Sequence, residues 1–203
     1  SEAAAAKGGS QVFLKAGESM TVEDMVKSIA VSSANDCACA MAEHLAGSEA
    51  AFVELMNQKA AAMGLTNSHF ANAVGLQDEN NYSTARDIAS IMNYAMQMSL
   101  CRQVMSTVSY RATIVDTDGI SFPGTFFHSV LRDRLEGKPE NMPSKVTITA
   151  GKTGYAGKES GYCLVTYAVT AGGKPYICVT AEAKTSDGCI ADYLAVYNGF
   201  AKP

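Results

Sequence analysis

Charge is sparse in this chain, and what there is lies scattered. Charged residues make up 18% of 203 residues, sixteen Lys and Arg against twenty Asp and Glu, for a net charge of −4. No basic patch or stripe forms, so a nucleic-acid partner is excluded on electrostatic grounds. No uncharged apolar run reaches the roughly 18 residues a bilayer span needs. Gly161 to Gly173 comes nearest, and it carries threonines and tyrosines. The six cysteines are Cys37, Cys39, Cys101, Cys163, Cys178 and Cys189, with no C-x-x-C and no Cys/His pair at zinc-ligand spacing. They are too few for a disulfide scaffold, and Cys163 and Cys178 stand inside apolar runs as buried free thiols would. His44, His69 and His128 make no H-E-x-x-H, so no metal site and no cofactor is expected. Gly151-Lys152-Thr153 ends like a phosphate loop, but Val146 stands where that pattern needs its first glycine. Repeats, long linkers and low-complexity tracts are absent. The start has no initiator Met, no basic n-region and no apolar h-region, so no signal peptide is expected within these residues, and Ser1 to Ser10 reads like the interior of a longer sequence.

Against these absences stand 47% hydrophobic residues, enough apolar surface to offset the entropy of ordering one domain. The first half has helical spacing. Thr21 and Asp24 make a capping box, followed by Val22, Met25, Val26 and Ile29 on one face. Ser32 to Asp36 interrupts that pattern. A second helix carries Ala38, Met41, Ala42 and Leu45, with Gly47 as its stop. Ser48 caps a third, with Phe52, Leu55, Met56 and Met63 inward and Gly64 as its end. Thr84 caps a fourth, with Ile88, Ile91, Met92 and Ala95 as its stripe.

From Tyr110 the pattern changes. Tyr110 to Val115 reads as a strand, Thr125 to Leu135 as a helix, and Glu136 to Ser144 as a charged loop with prolines. Val146 to Ala150, Cys163 to Thr170 and Tyr176 to Ala183 read as strands, the last two joined by the hairpin signal Ala171-Gly172-Gly173-Lys174. A last helix, about Gly188 to Ala201, carries Ile190, Tyr193, Leu194 and Tyr197 on one side. This segregation predicts an α+β fold: an antiparallel sheet flanked by helices, plus a helical lobe.

Two short segments could carry chemistry. Ser33-Ala34-Asn35 lies in the break between the first two helices, where its residue types also suit a plain N-cap. Lys152-Thr153-Gly154 follows the Val146 strand. Period two puts Val146, Ile148, Ala150 and Lys152 on one apolar face, provided Gly151 does not bulge. An ammonium there is costly unless an anion meets it; a lysine snorkelling from a strand end is the plain alternative. Gly154, Gly157 and Gly161 around Tyr155 would let a ligand's backbone approach closely. The two segments could face one another across a two-lobed cleft.

In this order the segments bring a family into view. Ser33-Ala34-Asn35-Asp36, Gly151-Lys152-Thr153-Gly154-Tyr155 and Gly161-Tyr162-Cys163 join Gly9-Ser10-Gln11-Val12-Phe13-Leu14 and Thr21-Val22-Glu23-Asp24-Met25. Ala42-Glu43-His44-Leu45-Ala46-Gly47-Ser48, Gly64-Leu65-Thr66-Asn67-Ser68-His69-Phe70 and Tyr82-Ser83-Thr84-Ala85-Arg86-Asp87 complete the set. From about Gly8 to Phe200 the chain resembles the D-alanyl-D-alanine carboxypeptidases, the low-molecular-weight penicillin-binding proteins. These are serine acyl-transferases with S-x-x-K, S-x-N and K-T-G motifs on a β-lactamase/transpeptidase-like fold. One departure stands out: no serine here is followed three residues later by lysine. The expectation is one incomplete catalytic domain over 1–203 that lacks its N-terminal segment and nucleophile. Its helical lobe would span about 20–140, its sheet and C-terminal helix about 145–203.

The resemblance implies roles. Ser33 would relay a proton to the departing D-Ala nitrogen, and Asn35 would hold the substrate amide. Lys152 would meet the terminal carboxylate and support Ser33, with Thr153 hydrogen-bonding the same carboxylate. The Tyr155 N–H would serve the oxyanion hole, and the strand through Gly154 would pair with the extended peptide. Arg132 and Arg134 are the candidates for a carboxylate arginine. The partners implied are peptidoglycan stem peptides ending in D-Ala-D-Ala and β-lactam antibiotics, in the bacterial cell envelope outside the cytoplasm. Any membrane association would run through segments not present here, and the chain alone would be inactive. Two other readings stay open. A class A β-lactamase shares the fold and K-T-G but usually has Ser-Asp-Asn where Ala34 stands; a non-catalytic relative would bind stem peptides without cutting them.

Overall fold

The computed structural model describes residues 1–135 and 137–202. They divide into two compact units. The first comprises Ser1–Tyr82 and Thr107–Ser129, and the second comprises Ser83–Ser106 and the chain from Val130 onward. The fold is α+β, with antiparallel sheets, as the segregation of helical and alternating patterns predicts.

The first unit holds α1 (Glu2–Ala5), α2 (Val22–Ser32), α3 (Asn35–Ala46), α4 (Glu49–Ala62) and the hairpin β1 (Ser109–Val115)–β2 (Ser121–His128). Three-residue signals set the helix starts. The Thr21 hydroxyl accepts from Asp24 N–H at 3.0 Å and donates to Asp24 Oδ2 at 2.8 Å, and Ser48 Oγ accepts from Ala51 N–H at 3.1 Å. Gly47 ends α3 at φ 83°, a conformation glycine adopts without penalty. The inward faces differ in part from expectation. Met25 and Ile29 pack on a core of Val12, Leu14, Ala34, Cys37 and Ile114, while Val22 is exposed. On α4 the buried residues are Val53 and Ala60, and Leu55 is exposed.

The helix expected over Thr125–Leu135 is a strand for its first part. Residues 125–128 belong to β2, and only Val130–Leu135 is helical. Register explains it: Tyr110 pairs with Phe127 and Arg111 with Phe126, so the aromatic run closes a hairpin.

The second unit contains α5 (Ala85–Gln97), α6 (Ser99–Met105), α7 (Val130–Leu135), the sheet β3 (Thr147–Tyr155)–β4 (Tyr162–Val169)–β5 (Pro175–Ala183), and α8 (Ser186–Phe200). The expected Ala171–Lys174 turn closes β4 on β5, with Thr170 N–H donating to Lys174 O at 3.0 Å. Leu164 and Ala168 bury against Ile190, Tyr193 and Tyr197 of α8 and Leu131 and Leu135 of α7. The other face meets α5, where Met92 and Met96 pack with Ala150, Val165 and Tyr167. The expected loop over 136–144 contains a 3-10 turn at Pro139–Asn141. Glu136 of that loop, and Pro203 at the expected end of the domain, lie outside the described residues.

β3 runs five residues beyond the expected strand, so the Lys-Thr-Gly segment lies inside it. A bulge also overturns the predicted face. Ile148 pairs with Ala168 but Ala150 pairs with Tyr167, so Thr149 is an extra residue, and its hydroxyl donates to Tyr167 O at 3.3 Å. One extra residue inverts period two. Ile148 therefore faces α8, while Ala150 and Lys152 face the α5 side, Lys152 pairing with Val165. The irregularity lies at Thr149 and leaves Gly151 in register.

Candidate active site

In the first unit, Ser33-Ala34-Asn35 links α2 to α3. The plain N-cap reading does not hold: the N-cap of α3 is Ala34, with no side-chain cap bond. Ser33 instead ends α2 in the left-handed region at φ 59°, ψ 40°. A non-glycine residue there costs about 1–2 kcal/mol, and such strain collects at functional sites. Ala34 anchors the loop, 1% exposed among the Val12, Leu14 and Cys37 core.

Asn35 is buried, its N–H donating to Ser10 O at 2.8 Å and its Nδ2 to Gly8 O at 2.7 Å. Gly9, at φ 88°, makes room for that amide, since a Cβ there would lie 2.5 Å from Asn35 Nδ2. Asp36, the next residue, is fully buried. It accepts from Val12 N–H at 3.2 Å, Leu14 N–H at 3.0 Å and Cys37 N–H at 2.9 Å. The bonds from Val12 and Leu14 tie the 12–14 segment to the start of α3, and the one from Cys37 satisfies an N–H of the helix's own first turn. Sequence reasoning matched the Gly9-Ser10 and Asp36 positions to a pattern without reading this job. A carboxylate four residues into a helical break is the signal that was there to find.

In the second unit, Lys152 is half-buried on β3. Its Nζ donates to Thr153 O at 2.9 Å, and burial pulls its pKa from 10.5 to about 8. Thr153 pairs with Leu164, exposed Gly154 with Cys163, and Tyr155 with Tyr162. β3 is an edge strand of its sheet, so one side of its main chain is open to further pairing among the described strands. Tyr155 is 54% exposed and stacks on Tyr162, ring centroids 4.4 Å apart. The glycines around Tyr155 differ in setting. A Cβ on Gly161 would lie 2.8 Å from the Glu182 backbone, so the fold requires glycine there, while exposed Gly154 has only an ordinary 3.6 Å contact. The structure thus gathers Ser33 and Asn35 in one unit and Lys152, Thr153, Gly154 and Tyr155 in the other. Arg134, named beside Arg132 as a carboxylate candidate, has its guanidinium 5.8 Å from the Tyr162 ring centroid. All six cysteines are free, Cys178 buried and Cys163 only half-buried. No cluster of three or more His, Cys, Asp or Glu able to hold a metal occurs among the described residues.

The model of the D-alanyl-D-alanine carboxypeptidase family matches residues 1–185. The chain belongs to that family. It is 54% identical over 89 residues to the D-alanyl-D-alanine carboxypeptidase DacF of Bacillus subtilis, covering 44% of this chain and 23% of DacF. It is 32% identical over 200 residues to the D-alanyl-D-alanine carboxypeptidase of Streptomyces sp. (strain K15), covering 95% of this chain and 65% of that protein. The crystal structure of the Streptomyces K15 DD-transpeptidase superposes with a TM-score of 0.80 at 28% identity, over 95% of this chain and 73% of that one. The chain therefore spans less than two thirds of the length of these two curated relatives. Membership accounts for the α+β fold and for the antiparallel sheet that carries the Lys152 and Gly161 segments.

Proposed function

We propose that this chain carries the substrate-recognition half of a serine-type D-Ala-D-Ala carboxypeptidase that trims peptidoglycan stem peptides and reacts with β-lactams in the bacterial envelope. The observation that carries the reading is Lys152. An ammonium half-buried on an open-edged strand, its pKa drawn down to about 8 by burial, puts a positive charge beside an edge where an extended chain ending in an anion can pair. The terminal carboxylate of a D-Ala-D-Ala peptide is such an anion. Lys152 meets it as a point charge, Thr153 adds a hydrogen bond, and the β3 edge pairs with the extended peptide by strand addition.

The nucleophile is a Ser-x-x-Lys serine, which these 203 residues do not contain. In the complete reaction that hydroxyl forms a bond to the carbonyl carbon of the penultimate D-Ala while the C–N bond breaks. Ser33 passes a proton to the leaving amine, a task suited to a hydroxyl that donates and accepts. Asn35 holds the substrate amide, and the Tyr155 N–H donates to the developing oxyanion, where one such donor is typically worth about 3 kcal/mol of barrier. Water then hydrolyses the ester. The chain by itself binds and does not cut.

Two measurements test this on the 203-residue chain. Titration with a diacetyl-Lys-D-Ala-D-Ala peptide should shift the amide resonances of Lys152 to Tyr155, and Lys152→Met should abolish the shift. Incubation with penicillin should leave the intact mass unchanged. A silent titration, or a mass gain of one β-lactam, would overturn the respective half of the proposal.

A further inference from the structure

Three side chains from three elements meet at the end of the second unit's sheet. Tyr155 and Tyr162 form the last rung of the β3–β4 ladder, their rings 4.4 Å apart and 26° from parallel. The Arg134 guanidinium of α7 lies 5.8 Å from the Tyr162 centroid. The intervening loop is closed on itself. Ala156 N–H donates to Ser160 Oγ at 3.1 Å, Ser160 Oγ to Gly157 O at 3.0 Å, and Gly161 N–H to Gly157 O at 3.1 Å. On its other side Tyr162 pairs with Ala183 of β5, beside the left-handed Glu182 at φ 61° and the close-fitting Gly161.

Strand ends fray unless something beyond their own hydrogen bonds holds them. More than half of Tyr155 is exposed, so core packing does little for it. What holds it is the offset ring contact with Tyr162, and the cation over Tyr162 extends that hold to a helix. We propose that Tyr162 and Arg134 are positioning residues: acting through the Tyr155 ring, they fix the end of β3. This keeps the Tyr155 N–H and the Lys152-Thr153-Gly154 edge in one place for the reacting carbonyl and the terminal carboxylate. The inference rests on the function proposed above and gives Arg134 a different job from contact with substrate. Neither residue touches the reacting atoms; each works through its neighbour in the stack.

Amide hydrogen exchange on the 203-residue chain tests it, with Tyr162→Leu, Tyr162→Phe and Arg134→Met beside the wild type. With the Tyr155 N–H turned to the open edge, the neighbouring Gly154 N–H points at β4 and reports the pairing. Tyr162→Leu should speed exchange at the Gly154 N–H about tenfold, the size expected for one aromatic pair, and Arg134→Met should speed it several-fold. Tyr162→Phe, which keeps the ring, should match the wild type, and Thr166 in the middle of β4 should be unaffected in all three. The Kd for the D-Ala-D-Ala peptide should rise with the Gly154 exchange rate and recover in Tyr162→Phe. Unchanged Gly154 exchange in Tyr162→Leu overturns the proposal, and so does equal acceleration at Gly154 and Thr166, which would mark a purely structural role. Should Tyr162→Leu fail to fold, Arg134→Met decides alone, because it removes only the outermost member of the stack. Absence of peptide binding in the wild type would defeat the function proposed above while leaving the exchange comparison to decide the positioning claim.

Discussion

Lys152 shares its face of β3 with Ala150 and pairs with Val165, and that apolar setting makes its charge a liability for folding. In the folded chain its pKa is about 8, below the ordinary 10.5. Below pH 8 both states carry the charge and the folded one bears the full cost. Between pH 8 and 10.5 the unfolded state holds the proton more tightly, so stability rises with pH; above 10.5 the difference is gone. Lys152→Met should therefore stabilise the chain by about 1–3 kcal/mol at pH 7, with a gain that shrinks towards pH 10.5. Urea midpoints at pH 7 and pH 9.5 measure it. The same variant should lose peptide binding, so a gain in stability is bought with function. Ser33 poses a similar tension, since a serine at φ 59° is a residue held against its preference.

Elements with a local signal, a cap or a strict alternation, were legible in the sequence; β2 and the bulge in β3, which only pairing reveals, were not. Thr21, Ser48, Thr84 and Gly47 mark helix ends where they were expected, because a cap needs only three or four neighbours to act. β4 was readable because Leu164, Thr166, Ala168 and Thr170 alternate with less buried residues. β2 was not: nearly every residue of Ser121–His128 is exposed, so no alternation exists to read, and its aromatics imitate a helix face. The bulge at Thr149 had no glycine to announce it, and so the face of Lys152 was misassigned while its strand was found. Within the candidate site, the three-residue motifs were visible, but the partners that hold them, Asp36, Gly9 and Tyr162, were visible only as matched letters. Asp36→Ala should cost about 3–5 kcal/mol by leaving three buried N–H groups without their acceptor. Asp36→Asn should fall between that variant and the wild type. Guanidinium titrations of the three proteins provide the comparison.

At the scale of the molecule, the two units are interleaved along the chain: the first is completed by Thr107–Ser129, and the second begins at Ser83, before that piece arrives. A fragment ending at Ser129 should keep the first unit while carrying α5 with Met92 and Met96 stripped of Ala150, Val165 and Tyr167. Such a fragment should bind the dye ANS more strongly than the 203-residue chain and self-associate, as seen by fluorescence and light scattering. During synthesis the same connectivity imposes an order of events. The serine loop can mature once the hairpin has left the ribosome, whereas the lysine strand waits for the last α8 residues, leaving Met92 and Met96 of α5 uncovered in the interval. Premature termination anywhere in the last third would therefore yield no half-working protein, only a finished lobe dragging a sticky helix.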